Sequence, residues 1–178
     1  MNRFIAPLGV FALLVVVLYL GVKSAPDRST LTSVLIGRPA PEFTLPNLLR
    51  PDEKVSTKDF KGKPWVFNVW GTWCPACRVE HQALMDIAQL GQAPLIGLNW
   101  RDDLDLAHEW LERLGNPYLA IAVDKEGRTA IDWGVYGAPE TFLVDAQGIV
   151  QYRLAGAMTR EIWEREFLPR IQGKSVAQ

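Results

Sequence analysis

The chain has 178 residues, a formal net charge of −1 and 48% hydrophobic residues, which is typical of a globular protein with a core of ordinary size. Its basic residues form no block and do not interleave with aromatic residues, so the sequence gives no support to a nucleic-acid-binding protein. It contains no internal repeat and no low-complexity tract, which excludes solenoid and repeat architectures.

The N-terminal segment differs from the rest of the chain. From Phe4 to Val22 every residue is apolar, Gly, Pro or Tyr, a length that can cross a bilayer as a helix. Arg3 precedes this stretch, and a short positive flank predicts a cytoplasmic N-terminus with the remaining chain beyond the membrane. A cleavable signal peptide is the alternative, although its apolar region is normally only ~7–15 residues long. We predict a transmembrane signal-anchor over residues 1–23.

A polar linker is predicted over residues 24–35, a folded domain over 36–172 and a short tail over 173–178. Apolar, β-prone runs predict strands, and apolar residues at helical spacing predict helices. Strands are predicted at 44–45, 55–56, 65–69, 94–100, 119–123, 140–144 and 149–154, and helices after Cys77 and at 104–114, 128–133 and 160–167. This order predicts an α/β domain with a mixed central β-sheet flanked by helices.

Cys74 and Cys77 are the only cysteines, and they stand between a predicted strand and a predicted helix. This placement is typical of a reversible dithiol/disulfide centre, because the unpaired N–H groups at a helix start favour the thiolate. Cys74, whose sulfur can be exposed there, is the predicted attacking thiol, and Cys77 would resolve a mixed disulfide. Pro75 suits the first helical turn because it has no N–H. Trp73 would either flank the sulfur as contact surface or pack in the core.

Two alternatives for the cysteine pair follow from the residues. A purely structural disulfide would close so short a loop that it adds little stability. A zinc or copper site could combine Cys74, Cys77 and His81, but His108 lies on a separate predicted helix and a closed structural site normally has four ligands. Haem attachment is excluded because Arg78 stands where that motif requires histidine. We predict no metal and no cofactor beyond the redox-active pair.

Four stretches carry a family resemblance: GRPAPEF (37–43), WGTWCPACRVEH (70–81), LGNPY (114–118) and GVYGAPETF (134–142). Together with the order of elements, they resemble the thioredoxin-like fold, and specifically the membrane-anchored DsbE/CcmG branch that serves cytochrome c maturation. The resemblance covers about residues 34–170 as well as the N-terminal segment. It implies a thioredoxin-like fold with an N-terminal transmembrane helix.

The resemblance also implies roles for residues near the cysteines. Pro139, after Ala138, matches the family's cis-proline, which would face the disulfide and present backbone to a bound peptide; from the residues alone it is a turn before a strand. Glu80 and Glu140 would oppose thiolate formation and carry protons during exchange, although Glu80 could instead be a solvated helix residue. Asn68 stands where thioredoxin has a buried acid, so proton transfer would fall to these glutamates.

The function that the resemblance implies is thiol:disulfide exchange in a single-pass protein of the bacterial inner membrane, with its catalytic domain on the periplasmic side. The protein would act as a reductant. Its implied partners are apocytochrome c, cytochrome c assembly thiol proteins and a DsbD-type membrane electron donor. A general disulfide oxidant or isomerase, a copper-binding thiol chaperone and a peroxidase are the alternatives. The last is disfavoured because Cys74 lacks a Pro-x-x-x-Thr-x-x-Cys setting.

Overall fold

The computed structural model describes residues 5–23 and 33–174. Most of the predicted linker (24–32) and the end of the predicted tail (175–178) lie outside these residues. Helix α1, Ile5–Lys23, forms over the apolar N-terminal segment. Within the described ranges, however, no helix meets both the length and the apolarity that a membrane crossing requires. The predicted membrane-spanning helix is therefore not shown by the structure.

The elements of the α/β domain follow the predicted order, and most of their ends differ by one or two residues from the prediction; the C-terminal helical segments instead continue to Ile171, beyond the predicted end at residue 167. The strands are β1 (Thr44–Pro46), β2 (Lys54–Ser56), β3 (Trp65–Trp70), β4 (Leu95–Trp100), β5 (Ala120–Asp124), β6 (Glu140–Val144) and β7 (Val150–Ala155). The helices are α2 (Pro75–Gln89), α3 (Leu104–Leu114), α4 (Arg128–Asp132), α5 (Arg160–Ile162) and α6 (Leu168–Ile171). A 3₁₀ helix, Thr57–Phe60, and a π-helical turn, Trp163–Phe167, were not predicted.

The mixed central sheet is confirmed, with strand order β5-β4-β3-β6-β7. Strands β3, β4 and β5 run parallel, whereas β6 and β7 run antiparallel to their neighbours. Every residue of β3 is buried, which explains why all of them except Asn68 are apolar. Val69 of β3 pairs with Glu140 of β6. The loop that follows β3 and the loop that precedes β6 therefore lie side by side at the same end of the sheet.

Apolar side chains cover both faces of the central sheet. One cluster joins α2, α3 and the C-terminal helices, and it includes Cys74, Cys77 and Trp163. The other lies on the opposite face, where the rings of Phe67 and Trp133 are 4.3 Å apart between centroids. The central sheet is therefore packed between two apolar layers, as in other α/β domains.

Candidate active site

The two cysteines lie at the start of α2 and are joined by a disulfide bond. Cys74 is the N-cap residue of this helix, and its sulfur accepts the backbone N–H of Cys77 at 3.0 Å. Pro75 occupies the first helical turn, where its missing N–H costs no hydrogen bond. We expected an exposed sulfur at the helix start, but each cysteine is only 2% exposed in this oxidised state. The surrounding surface therefore governs which disulfides can reach Cys74.

The loop between β3 and α2 is fixed by Asp102, which lies just beyond β4. One Asp102 oxygen accepts the Thr72 N–H at 2.7 Å, and the other accepts the Thr72 hydroxyl. The buried Asn99 amide also donates to Asp102, at 2.7 Å. Because charge-assisted hydrogen bonds are stronger than neutral ones, Asp102 sets the path of the chain into the cysteine pair.

Trp73 forms part of the surface beside the cysteines. Its side chain is 49% exposed, its indole N–H donates to the Trp100 carbonyl at 3.0 Å, and its ring meets the Trp100 ring edge-on. Trp70, by contrast, is fully buried and stacks on Tyr118. Core packing therefore explains Trp70 and does not explain Trp73, half of whose surface is open to solvent; its role as contact surface for a client stays a prediction.

Glu80 is buried in the same face of α2 as Cys77. Its two carboxyl oxygens accept hydrogen bonds from the Asn68 amide at 3.0 Å and the Met158 N–H at 2.6 Å. Burial raises the pKa of Glu80 from 4.5 to about 7, and these two hydrogen bonds oppose a larger rise. The alternative of a solvated helix residue is excluded. A carboxyl group that titrates near neutrality has the property that proton transfer requires.

Asn68 connects Glu80 to the rest of a buried polar network. Its amide nitrogen also donates to the Thr141 hydroxyl at 3.0 Å, while its oxygen accepts the Tyr118 hydroxyl at 2.7 Å. Burial raises the pKa of Tyr118 well above its usual value, so this hydroxyl remains a donor. Since Tyr118 occupies the oxygen, the amide turns its donor side to Glu80. Sequence reasoning found no role for Tyr118, Thr141 or Met158, because their contacts join residues far apart in the chain.

The Ala138–Pro139 peptide bond is cis, as the resemblance implied. Pro139 is buried, and Ala138 packs against the cluster that contains both cysteines. Glu140 follows directly and is also buried. Its oxygens accept hydrogen bonds from the Tyr136 N–H at 2.9 Å and from Arg153 at 2.8 Å. The proton-transfer role of Glu140 stays a prediction, and Arg153 is a contact that sequence reasoning missed.

Both ring nitrogens of His81 take part in hydrogen bonds. The Trp110 indole N–H donates to Nδ1 at 3.1 Å, so Nε2 carries the proton and lies 3.0 Å from the Gly115 carbonyl. Burial lowers the pKa of His81, which favours the neutral ring. In residues 5–23 and 33–174 no group of three or more His, Cys, Asp or Glu side chains is arranged to hold a metal ion. His81 is thus a core hydrogen-bonding residue in this state.

A Cys-x-x-Cys disulfide at a helix N-terminus, beside a cis-proline loop on a thioredoxin-like sheet, defines the class of thiol:disulfide oxidoreductases. The profile of the Redoxin family matches residues 35–167. The chain is 44% identical over 166 residues to the thiol:disulfide interchange protein DsbE of Pseudomonas aeruginosa, covering 93% of this chain and 91% of that protein. The chain belongs to the DsbE family of thiol:disulfide interchange proteins.

Two further comparisons agree with this assignment. The DsbE protein of Vibrio cholerae is 46% identical over 147 residues, which cover 83% of this chain and 79% of that protein. A solved structure from Chlorobium tepidum, described as a thiol:disulfide interchange protein DsbE, has a TM-score of 0.64 at 25% identity. It covers 77% of this chain and 94% of the Chlorobium chain. Sequence and fold similarity therefore extend over the whole α/β domain.

Proposed function

We propose that the protein is a membrane-tethered periplasmic reductant that acts during cytochrome c maturation. Its substrates would be disulfides in apocytochrome c or in the thiol proteins that assist its assembly. The observation that carries this proposal is the Cys74–Cys77 pair with Glu80 buried on the same helix face. The 41–46% identity of DsbE relatives over most of the chain supports it.

The exchange reaction follows from the positions of the two sulfurs. In the reduced protein, the Cys74 thiolate attacks one sulfur of a client disulfide, and the other client sulfur leaves as a thiolate that takes up a proton. Cys77 then loses its proton and attacks the Cys74 sulfur of the mixed disulfide. The client leaves as a dithiol, and the enzyme keeps the Cys74–Cys77 disulfide. Two electrons from a DsbD-type membrane donor would restore the reduced pair.

The buried acid favours a reducing direction. A strongly oxidising member of this class owes its potential to a stabilised thiolate in the reduced form. Glu80 is buried one helical turn beyond Cys77, and when it is ionised its negative charge opposes thiolate formation on the same helix. Because the thiolate is less stabilised, the equilibrium between dithiol and disulfide shifts toward the disulfide. The dithiol is therefore a better electron donor.

Membrane tethering is proposed on the chemistry of α1. Its side chains from Leu8 to Leu20 are apolar or aromatic apart from a glycine, and Phe11, Leu14 and Leu18 are each more than half exposed. Such a surface needs an apolar environment. Arg3, before the segment, supports a cytoplasmic N-terminus and a periplasmic α/β domain. Tethering would keep the reductant near clients that mature at the membrane.

Trapping of mixed disulfides tests this function. The full chain with Cys77→Ser is expressed in its host, and proteins bonded to Cys74 are identified after alkylation and non-reducing electrophoresis. Apocytochromes, cytochrome c assembly factors and a membrane electron donor are expected. The Cys74→Ser, Cys77→Ser double variant is the control and should capture none of them. A broad set of secreted proteins would instead indicate a general oxidant or isomerase, and the complete lack of adducts would refute thiol exchange with protein clients.

A further inference from the structure

The loop before Pro139 is held by side chains that come from two strands. The Tyr136 N–H donates to the Glu140 carboxylate at 2.9 Å instead of to a backbone carbonyl. Arg153 of β7 reaches beneath the same loop and donates to the Gly134 carbonyl at 3.4 Å. The path of the loop therefore depends on the buried ion pair between Glu140 and Arg153 as well as on backbone pairing.

That ion pair is fully removed from solvent. Arg153 and Glu140 are 5% and 3% exposed, and two guanidinium nitrogens each lie 2.8 Å from one Glu140 oxygen. The guanidinium carbon is also 5.9 Å from the ring centroid of Phe142. A buried arginine is expensive to desolvate and is not required for stability, since apolar residues of similar volume often stabilise a core at least as well. Its presence on β7 thus calls for a second role.

The Arg153 guanidinium group also contacts the ring of Tyr136. The Tyr136 side chain is 78% exposed, yet its ring lies over the Arg153 guanidinium with 4.8 Å between the guanidinium carbon and the ring centroid. An aromatic side chain this exposed would normally sample several rotamers, but the planar cation beneath it favours one orientation. One face of the ring is therefore fixed on the protein, while the remaining surface stays open to solvent.

We propose that Arg153 is a positioning residue that, together with Glu140, holds the cis-proline loop and fixes the Tyr136 ring as a contact platform for an apolar side chain next to the client cysteine. The cis-proline loop lies beside the Cys74 loop at one end of the sheet, because Val69 pairs with Glu140. A client sulfur at Cys74 would thus bring its flanking residues over this loop. The proposal depends on thiol exchange with polypeptides and not on the identity of the client as a cytochrome.

Peptide exchange kinetics test the platform. Two synthetic peptides closed by one disulfide are compared as substrates for the reduced full chain, one with leucine and one with glycine beside the cysteine. We expect the wild-type protein to prefer the leucine peptide, and Tyr136→Ala to lower its kcat/KM for that peptide about tenfold relative to the glycine peptide, as loss of one buried aromatic contact would. Tyr136→Phe keeps the ring and should keep the preference.

Arg153→Lys tests the positioning role, because it keeps the charge but loses the planar stack and the paired donors. We expect the same loss of preference for the leucine peptide, with the reduction potential of the cysteine pair unchanged. If Arg153→Lys does not fold, Glu140→Gln weakens the same ion pair and should lose the same preference, which is a ratio of two kcat/KM values and so does not depend on any change in the reactivity of the cysteines. Leu119→Ala is the matched control. Leu119 is 64% exposed, and it precedes β5 at the end of the sheet opposite to the cis-proline loop.

Three results would overturn the proposal. The first is a wild-type protein with equal kcat/KM for the two peptides, and the second is an unchanged preference in Tyr136→Ala. The third is a folded Arg153→Lys or Glu140→Gln variant with reduced stability but wild-type preference, which would make the ion pair purely structural. Each of these outcomes is compatible with trapping of cytochrome assembly proteins by Cys77→Ser, so failure here is distinct from failure of the proposed function.

Discussion

The buried carboxyl group of Glu80 predicts that the oxidised protein loses stability as the pH rises through neutrality. In the unfolded chain Glu80 has a pKa near 4.5, and in the folded protein its pKa is about 7. Between these values the unfolded state has released the proton that the folded state still holds. The free energy of unfolding therefore falls with rising pH across this window and reaches its lower level above pH 7.

The expected magnitude follows from the two pKa values. Since one pKa unit corresponds to about 1.4 kcal/mol, the rise from 4.5 to about 7 corresponds to about 3 kcal/mol of unfolding free energy. The Glu80→Gln variant has a similar shape and no titration, so it should lack this decrease. His81, whose pKa is lowered by burial, contributes to stability in the opposite direction. It is present in both proteins and cancels in their difference.

Urea denaturation of the oxidised full chain in detergent micelles, followed by tryptophan fluorescence, measures the difference. The unfolding free energies of wild type and Glu80→Gln are compared at pH 4.5, 6, 7 and 8. We expect the wild type to lose about 3 kcal/mol relative to the variant between the ends of this range. Parallel curves would refute the reasoning, because they would mean that Glu80 has the same pKa in the folded and the unfolded protein. An absolute offset at every pH is expected, since a glutamine amide cannot accept from both donors.

Three further predictions concern neighbours of this site. Tyr118→Phe frees the Asn68 amide to turn its oxygen to Glu80, which favours the protonated acid; we expect the pKa of Glu80, followed by ¹³C NMR of its carboxyl carbon, to rise further. Asp102→Ala removes the acceptor of the Thr72 N–H, the Thr72 hydroxyl and the Asn99 amide, and we expect it to lower the free energy of unfolding by about 1–3 kcal/mol in urea denaturation. Gly97→Ala places a Cβ 2.8 and 3.1 Å from atoms of two buried aromatic rings, and should cost about 1–3 kcal/mol in the same assay.

Each of these predictions has a specific control. An unchanged Glu80 titration in Tyr118→Phe would show that Asn68 keeps its orientation without the hydroxyl. Asp102→Asn retains acceptor capacity on one side and should fall between wild type and Asp102→Ala, so equal losses in the two variants would contradict the assigned hydrogen bonds. Gly137→Ala is the match for Gly97→Ala, because its added Cβ would meet no atom within 4 Å.

The fold could be predicted from the sequence largely because its signals are local. Buried strands such as β3 are almost entirely apolar, and α2 begins where Pro75 and the cysteines predict a helix start. The π-helical turn Trp163–Phe167 could not be predicted, because its apolar residues fit ordinary helical spacing equally well.

The site was predictable only where its residues are neighbours in the chain. The cysteines, Pro75 and the cis-proline belong to short motifs. The burial of Glu80 depends on Asn68, Tyr118 and Met158, which reach it from a strand, a loop and a later turn. A glutamate on a helix is usually exposed, so no local pattern separates this one from its solvated neighbours.

The hydrogen bond from Met158 to Glu80 makes one amide proton a natural reporter of the active site. Met158 lies between β7 and α5, and its N–H lies 2.6 Å from a carboxyl oxygen of Glu80. When that carboxyl gains or loses its proton, the chemical shift of the Met158 amide must respond. A single backbone resonance can thus follow the ionisation of a buried acid without any label at the cysteines. Because of this bond, a truncation that ends the chain before Met158 would remove a hydrogen-bond donor from Glu80 and so change the surroundings of the cysteine pair, which lies more than 80 residues earlier in the sequence.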